Sequence, residues 1–420
     1  ISECLVGSEM CIRDRYKVKP YQSYYHYKRQ KMMNKRILCA VVLLGLVFAV
    51  LIRTHKIELQ DMNKLFNSSK VAVLEESTPV YLEQDSVQYD VHMTPTSVKG
   101  VYLPATYMSQ LDTLIELAKE TEVNAIVIDI KDDNGYLTFK SDNPALVGAV
   151  KDKPLISDIE KVMNKLYKAG IYPIARIVSF KDNVRTKSNP EKAVRWQDGT
   201  PFATSKGERW LNPYDKDNWD YLLEISKEAI NLGFKEIQFD YIRFHESMEG
   251  KNLDFPDNKS KIDIITEFTQ YMYEHLHSYG VVVSADVFGT IITSKVDAKI
   301  VGQDYAELSK HLDYICPMIY PSHYGEGSFG ITYPDLYPYE LILEVMQYSN
   351  AVIRDIPRSE RRAKVRPWLQ DFTASWLGTY QQYEAEQVRA QILATYDALG
   401  KEWLLWNGAG KYHSDALEEE

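Results

Sequence analysis

The sequence predicts an α/β protein whose main domain is a (β/α)8 TIM-like barrel, preceded by an N-terminal membrane segment and a linker. From residue 99 onward, short runs rich in β-branched residues alternate with longer segments of helical period, and eight such units follow one another. The chain has 420 residues, with 45% hydrophobic and 26% charged content, which is ordinary for a globular protein. A doubly wound open sheet is the alternative fold, but GVYLPATY after the first strand lacks the G-x-G-x-x-G turn of nucleotide-binding sheets.

The N-terminal region before the barrel divides into three predicted parts. Residues 1–31 are interpreted as a non-native leader, because ISECLVGSEMCIRDR shows no hydrophobic period. Residues 32–56 are a predicted signal anchor or signal peptide, because residues 37–52 contain sixteen residues without a charge. Membrane spans need roughly 20 apolar residues and signal peptides about 7 to 15, so length alone leaves both open. Residues 57–97 form a polar linker or stalk.

The flanks of the apolar run indicate its orientation. Basic residues are more numerous before residue 37 than just after residue 52, which keeps the amino end in the cytoplasm and exports the rest. No small-x-small cleavage pattern follows the run, so we expect a single-pass protein of the cell membrane with an extracytoplasmic domain. A secreted protein is the alternative.

The predicted strands are short runs of β-branched and aromatic residues. They are GVYL (100–103), AIVIDI (125–130), YPIARIV (172–178), EIQFDY (236–241), VVVSADV (281–287), DYICPMIY (313–320), KVRPWLQ (364–370) and WLLW (403–406). Predicted helices of 3.6-residue period lie between them, over 109–120, 157–170, 219–233, 262–280, 338–350 and 385–400. Several helices end in Gly, as helix C-termini prefer. The whole domain covers 98–412, and an acidic tail covers 413–420.

Aspartates stand at or just after the ends of four predicted strands: Asp129, Asp240, Asp286 and Asp371. Active sites of TIM barrels form where the carboxyl ends of the strands meet, so we expect these acids to converge on one opening. In strand four, alternation places Gln238 and Asp240 on the same side, toward the barrel axis. An isolated aspartate at a strand end usually caps the next helix or turn, but four of them together favour a shared site.

Aromatic residues are abundant near the same strand ends. The chain has 30 tyrosines, and Tyr320, Trp368 and Trp406 lie at or near the ends of predicted strands. Sugars bind to flat apolar faces combined with polar edges, so a carbohydrate is the predicted partner, although core packing explains many of these aromatics equally well.

Charge and cysteine content argue against several other classes of function. Residues 1–36 carry nine Lys or Arg and three Asp or Glu, which leaves 40 basic and 56 acidic residues in an acidic remainder. Nucleic acid is therefore not an expected partner. Only Cys316 lies in the barrel region, so a disulfide framework is not expected there, and the scattered histidines predict neither a metal site nor any other cofactor.

Seven stretches together resemble a bacterial family of glycoside hydrolase-like domains long catalogued as a domain of unknown function. They are KGVYLP, NAIVIDIKDDNG, GFKEIQFDYIRF, SADVFG, PMIYPSHYG, RPWLQDF and WLLWN, and they span about residues 98–412. That family is similar in turn to α-amylase-like barrels, and this resemblance implies that Asp240 is the nucleophile, Asp286 the acid/base and Asp371 a supporting acid. The amylase pattern has Arg two residues before the nucleophile and Glu on strand five, whereas this sequence has Gln238 and Asp286.

The leading hypothesis is hydrolysis of an extracytoplasmic polysaccharide by a two-carboxylate mechanism, with Asp240 and Asp286 as catalytic residues. Arg176 and Arg243 are candidates to keep Asp240 ionised. The predicted substrate-binding residues are Asp129, Arg176, Gln238, Arg243, Tyr320, Trp368, Gln370, Asp371 and Trp406. A membrane-tethered glycan-binding barrel without catalysis is the main alternative. Metal-dependent hydrolysis through Asp129, Asp132, Asp133 and His323 is a third.

Overall fold

A computed structural model describes residues 97–419 of the chain. The predicted leader, the apolar run at 37–52 and nearly all of the predicted linker lie outside these residues. None of the helices formed by residues 97–419 combines the length and the apolar character that a membrane crossing needs.

Within residues 97–419, nine β-strands form one closed parallel barrel. They are β1 (Lys99–Leu103), β2 (Ala125–Lys131), β3 (Tyr172–Val178), β4 (Glu236–Asp240), β5 (Val282–Phe288), β6 (Tyr314–Met318), β7 (Lys364–Val365), β8 (Trp368–Gln370) and β9 (Trp403–Trp406). Strands β1 to β6 pair in chain order, β6 pairs with β7 and β8, and β8 pairs with β9. The pairing of β9 with β1 closes the ring.

The seventh barrel strand consists of two pieces. The sequence predicts one strand over 364–370, whereas the structure has β7 and β8 separated by Arg366 and Pro367. Proline has no N–H to donate to a strand ladder, which accounts for the break. Counted as one interrupted strand, β7 and β8 bring the barrel to eight strands, so the predicted TIM-like barrel is confirmed.

Helices pack around the barrel in the connections between strands. They are α1 (Leu111–Glu120), α2 (Ile159–Lys168), α3 (Arg185–Ser188), α4 (Lys216–Asn231), α5 (Lys261–His277), α6 (Lys295–Val301), α7 (Tyr305–Leu308), α8 (Pro338–Asp355) and α9 (Ala385–Asp397). All six predicted helices are present. The short helices α3, α6 and α7 were not predicted, because four to seven residues are too few to show a helical period.

Local sequence signals fix where the long helices begin and end. Asp158 and Asp215 accept N-terminal backbone N–H groups of α2 and α4, and Ser260 forms a reciprocal capping box at the start of α5. Gly233 and Gly280, with φ of 99° and 72°, turn the chain after α4 and α5. These turns deliver the chain into β4 and β5, the strands that carry the two predicted catalytic acids.

The barrel interior contains a column of polar side chains along β4. At the amino end of the strand, the Glu236 carboxylate pairs with the guanidinium of Arg366, and neither side chain is exposed to solvent. Two residues further along β4, the Gln238 amide donates to Cys316 Sγ at 3.4 Å. Asp240 ends the column at the mouth of the barrel, so the predicted inward alternation of β4 agrees with these contacts.

Residues 413–419, the described part of the predicted acidic tail, pack against the barrel. The His413 imidazole contacts the Asp371 carboxylate, and the Glu418 carboxylate pairs with Arg389. In the backbone, Glu122 N–H donates to the Glu418 carbonyl at 2.9 Å. This segment therefore contributes to the domain that begins at β1.

Candidate active site

Four charged side chains come together at the carboxyl ends of four neighbouring strands. Asp129 is on β2, Arg176 on β3, Asp240 on β4 and Asp286 on β5. Asp129 on β2 and Arg176 on β3 are register partners. Phe239 on β4 and Ala285 on β5 are also register partners, and Asp240 and Asp286 are the next residues of these two strands. Parallel strands in register bring these groups to one level at the mouth, where barrel enzymes place their active sites.

Arg176 is the centre of the cluster. Its Nη1 donates to Asp129 Oδ1 at 2.7 Å, and its Nε and Nη2 donate to Asp240 Oδ2 at 3.0 and 2.6 Å. Nη2 also donates to Asp133 Oδ1 at 3.2 Å. Burial by itself would lower the pKa of Arg176, but the three carboxylates raise it well above its usual range. Arg176 therefore stays charged and stabilises the ionised form of its acidic neighbours.

Both oxygens of Asp240 are held in fixed positions. Oδ2 accepts from the Arg176 guanidinium, and Oδ1 accepts from the Tyr241 backbone N–H at 2.6 Å. Tyr241 has φ of 52°, an unusual value for a residue other than glycine, which costs of order 1–3 kcal/mol. The turn that follows β4 thus directs a backbone dipole at the carboxylate, and the charge of Asp240 is both stabilised and oriented.

Asp286 has the opposite electrostatic environment. Burial raises the pKa of Asp286 well above its usual range, and the negative charge of Asp240 raises it further, against weaker opposing effects of Trp368 and Arg176. Trp368 Nε1 donates to Asp286 Oδ1 at 2.6 Å. Oδ2 has no partner among residues 97–419 and is not one of their fully enclosed polar atoms. A neutral carboxyl group with one free oxygen is suited to donate a proton.

The remaining acids of the cluster differ in exposure and protonation. Burial raises the pKa of Asp129, although Arg176 and the Tyr102 hydroxyl, which donates to Asp129 Oδ2 at 2.7 Å, oppose this effect. Asp133 lies at the opening, with 49% of its side chain exposed. There, burial acts to raise the pKa of Asp133, but the charges of Arg176 and Lys181 outweigh it and lower the pKa. Asp133 therefore presents an ionised carboxylate to solvent beside Asp240.

Aromatic rings surround the acids. Trp406 stacks on Tyr102 with ring centroids 4.1 Å apart, and the Arg176 guanidinium lies 5.4 Å from the Trp406 ring. Trp368 is buried below them and contacts both rings edge-on. Tyr320 belongs to the same cluster of buried side chains as Tyr102 and Trp368, with Trp406 packed against it. Burial raises the pKa of Tyr320, and the charges of Asp286 and Asp240 raise it further. The predicted residues Tyr320, Trp368 and Trp406 therefore adjoin the charged cluster.

Three predicted substrate-binding residues have other partners. Arg243 donates to Glu246 and lies against the Phe288 ring, so Arg176 is the arginine that pairs with Asp240. Asp371 follows the inward-facing Gln370, points away from the axis and accepts from His413. Gln370 itself connects two loops through Ser322 and Phe372 and makes no contact with the acids.

The predicted Gln238 lies inside the barrel, one layer below Asp240. Its side-chain oxygen is buried and has no hydrogen-bond partner among the described residues. Gln238 pairs in register with Arg176 on β3. The arginine that the amylase pattern places two residues before the nucleophile is absent from β4, and an arginine of the neighbouring strand contacts Asp240 instead.

Among the residues proposed for metal-dependent hydrolysis, Asp129 and Asp133 both contact Arg176, whereas Asp132 has other partners. Asp132 Oδ1 accepts from the N–H groups of Asn134, Gly135 and Tyr136, as in a tight turn. Within residues 97–419, no group of three or more His, Cys, Asp or Glu side chains has the arrangement of a metal site.

Sequence reasoning missed the shared use of Arg176 by three carboxylates and considered Asp133 only for metal-dependent hydrolysis. Arg176 was predicted to keep Asp240 ionised, but its contacts with carboxylates of both neighbouring strands depend on how β2, β3 and β4 align in the barrel. Asp132 and Asp133 are adjacent residues of the turn KDDNG, so the sequence does not show which of the two carboxylates faces the site.

Comparisons with known proteins found a matching family and similar solved structures. Residues 100–412 match the family described as "Putative glycosyl hydrolase domain". A crystal structure of a hypothetical protein from Ruminiclostridium thermocellum ATCC 27405 is 42% identical, covering 44% of this chain and 97% of that one, with a TM-score of 0.41. The PgaB (BpsB) glycoside hydrolase domain from Bordetella bronchiseptica is 17% identical, covering 75% and 95%, with a TM-score of 0.52.

The likeness to the Bordetella domain supports the fold alone, because the sequence identity is low. No curated protein matches this chain in sequence. The family match covers most of the chain and coincides with the barrel, from β1 to the segment after β9. The chain belongs to this family of glycosyl hydrolase domains.

Proposed function

We propose that this protein hydrolyses glycosidic bonds of an extracytoplasmic polysaccharide by a two-carboxylate mechanism. The observation that carries the proposal is the split environment of two acids on adjacent strands. Asp240 is bound by the Arg176 guanidinium, whereas burial and the Asp240 charge raise the pKa of Asp286 and so favour its protonated form. Two carboxyl groups with opposite protonation states are what acid-assisted glycoside hydrolysis requires.

In the proposed reaction, Asp286 donates its proton to the glycosidic oxygen as the bond to the anomeric carbon breaks. The Asp240 carboxylate attacks or stabilises the positive charge that develops at that carbon. Water supplies the hydroxyl group of the new sugar end and returns a proton to Asp286. In this scheme Arg176 contacts the Asp240 carboxylate and not the sugar; it positions Asp240 and stabilises its charge.

Trp406 is half-buried and stacks on the buried Tyr102 ring beside Arg176. This aromatic wall provides an apolar surface for the sugar at the cleavage position, with Trp406 as its accessible ring. Asp133 has the exposure needed to accept hydrogen bonds from sugar hydroxyl groups. These features support a carbohydrate as the substrate. The extracytoplasmic location rests on the apolar run at residues 37–52 and its basic flank.

A second candidate function is glycan binding without catalysis. The specific observation that favours it is the low exposure of Asp286, whose surface is 2% accessible. A binding protein would use the same aromatic wall but would not depend on a proton at Asp286.

The test is release of reducing ends from a panel of soluble polysaccharides and cell-wall preparations, with Asp240→Asn and Asp286→Asn as variants. We expect product from the wild type and a loss of at least about 100-fold in each variant, because each removes one of two coupled catalytic groups. Lys165→Met, on the outer surface, is the control and should retain full activity. Binding without product would favour the non-catalytic candidate, and equal rates in all four proteins would refute the assignment of the acids.

A further inference from the structure

A group of aromatic rings extends from the acid pair to the rim of the barrel. It consists of Tyr320 and His323 after β6 together with Phe372 and Trp376 after β8, and we call it the aromatic step. Ring centroids are 5.8 Å apart for Tyr320 and Phe372 and 6.0 Å for Phe372 and Trp376, and the last two rings are nearly parallel at 23°. Each ring contacts the next, so the step is continuous from the interior to the surface.

Exposure increases along the step. Tyr320 is buried in the same cluster as Trp368, whose indole N–H donates to Asp286. Phe372 is half-buried, while His323 and Trp376 are exposed. All seven tryptophans lie in the described part of the chain, and only Trp376 is exposed, at 65%. Water contact on so much apolar ring surface is unfavourable, and a large exposed aromatic beside a polar site is typical of a binding surface.

Other exposed aromatics gather in the same two loops. Among the large apolar side chains of residues 97–419 that are exposed, five are aromatic, and three of those five are Tyr337, Trp376 and Tyr380. Tyr337 and Tyr380 come from different loops but lie near each other in the fold, because Gln381 N–H donates to the Asp335 carboxylate at 3.1 Å. The concentration of exposed rings at one side of the mouth indicates a common ligand.

The loops that carry the step are held rigidly. Gln370 Oε1 accepts from Ser322 N–H at 3.1 Å, and its Nε2 donates to the Phe372 carbonyl at 3.0 Å and to Asp335 at 3.3 Å. The Tyr383 hydroxyl donates to the Asp335 carbonyl at 3.0 Å. Gln370 thus connects the loop after β6 with the loop after β8. A surface held in place before binding loses little conformational entropy when a ligand arrives.

We propose that the aromatic step is a subsite for a sugar unit beyond the cleavage position, with Trp376 as its outer stacking platform and Gln370 as the residue that positions it. The inference rests on the proposed hydrolase function and adds that the substrate is a chain of several sugar units. Sugar rings have apolar C–H faces that pack on aromatic planes and hydroxyl edges that stay hydrated, which suits a half-open step of this kind. Because the aromatic step starts near the acid pair, it gives the bound sugar chain a direction, from Asp240 and Asp286 toward the loops after β6 and β8.

The first test is affinity electrophoresis in gels containing glycol chitin, laminarin, barley β-glucan, mannan or dextran, which requires no turnover. The proteins are the wild type, Trp376→Ala, Trp376→Tyr and Tyr279→Ala. Tyr279 is the matched control, because it is 50% exposed and precedes β5, at the opposite end of the barrel. We expect retardation of the wild type by at least one glycan, affinity about tenfold weaker in Trp376→Ala, substantial recovery in Trp376→Tyr and no change in Tyr279→Ala. Equal retardation of wild type and Trp376→Ala, or no retardation by any glycan, would overturn the subsite.

The second test separates this inference from the proposed function. It measures kcat/KM on fragments of a hydrolysed glycan with increasing numbers of sugar units. We expect Trp376→Ala to lose activity on the longer fragments and to match the wild type on the shortest cleavable fragment. Hydrolysis that is unaffected by Trp376→Ala at every length would refute the subsite and leave the hydrolase intact. Binding that depends on Trp376 without any hydrolysis would support the subsite and refute the hydrolase function.

Discussion

The strongest prediction concerns Arg176→Met, which removes the only cation that contacts both Asp129 and Asp240 among the described residues. The side chains of these three residues are 3%, 8% and 9% exposed, so the carboxylates would be left almost without water. Removing one partner of a buried ion pair typically costs about 3–5 kcal/mol. We expect a decrease of this size in the free energy of unfolding at neutral pH, because four hydrogen bonds and the compensating charge are lost together.

The pH dependence of this decrease gives the prediction its sign. Without Arg176, the buried acids bind protons more tightly in the folded than in the unfolded chain, so stability falls as pH rises through the range where they ionise. The loss should therefore be larger at pH 8 than at pH 5. Urea unfolding followed by tryptophan fluorescence at both pH values measures it.

The control is Lys165→Met, which breaks the surface pair with Asp112. These side chains are 38% and 73% exposed, and such pairs contribute about 0–1 kcal/mol. The reasoning about Arg176 is refuted if Arg176→Met costs no more than this control, or if its cost is the same at pH 5 and pH 8.

Three further substitutions test other parts of the account. Asp286→Asn should raise the melting temperature at pH 8 but not at pH 3.5. Because the pKa of Asp286 is raised in the folded protein, the wild type loses roughly 1.4 kcal/mol of stability for each pH unit between the pKa of the unfolded chain and that of the folded protein. A lower melting temperature at both pH values would contradict this. Tyr102→Phe removes the hydroxyl that donates to Asp129 at 2.7 Å, and urea unfolding should show a loss of about 1–3 kcal/mol, whereas wild-type stability would contradict the buried bond. Gly289→Ala would place a Cβ 2.3 Å from the Tyr324 hydroxyl and 2.7 Å from the Met318 carbonyl, so we expect about 1–3 kcal/mol of destabilisation; Gly148→Ala, with open space around the new atom, is its control.

The fold was predictable from the sequence because each barrel unit carries its own local signals. Buried parallel strands such as AIVIDI are apolar apart from the aspartate near the strand end, and the alternation of strands with helices defines the barrel. Pro367 lies within the predicted strand 364–370, but it was not interpreted as a break in that strand. The interior pair of Glu236 and Arg366 was not predicted, because a charged residue at the start of a strand looks like a surface residue until the barrel closes around it.

The site was predictable only in part, for a geometric reason. Asp129, Arg176, Asp240 and Asp286 lie inward at strand ends, where alternation and topology determine their direction. Arg243 lies three residues past Asp240, in a loop whose path the sequence does not specify, and in the structure it contacts Glu246 instead of the acid. Asp371 directly follows Gln370, and successive side chains of a strand point in opposite directions, so Asp371 points away from the barrel axis.

The protonation of Asp286 is the property on which the proposed mechanism depends most, and it can be measured without a substrate. Carboxyl carbon NMR of aspartate-labelled protein follows each side chain as pH changes, and the Asp286→Asn variant identifies the signal. We predict that Asp286 keeps its proton well above the pH of about 4 at which exposed aspartates titrate. A signal that titrates near 4 together with the surface aspartates would contradict its assignment as the proton donor.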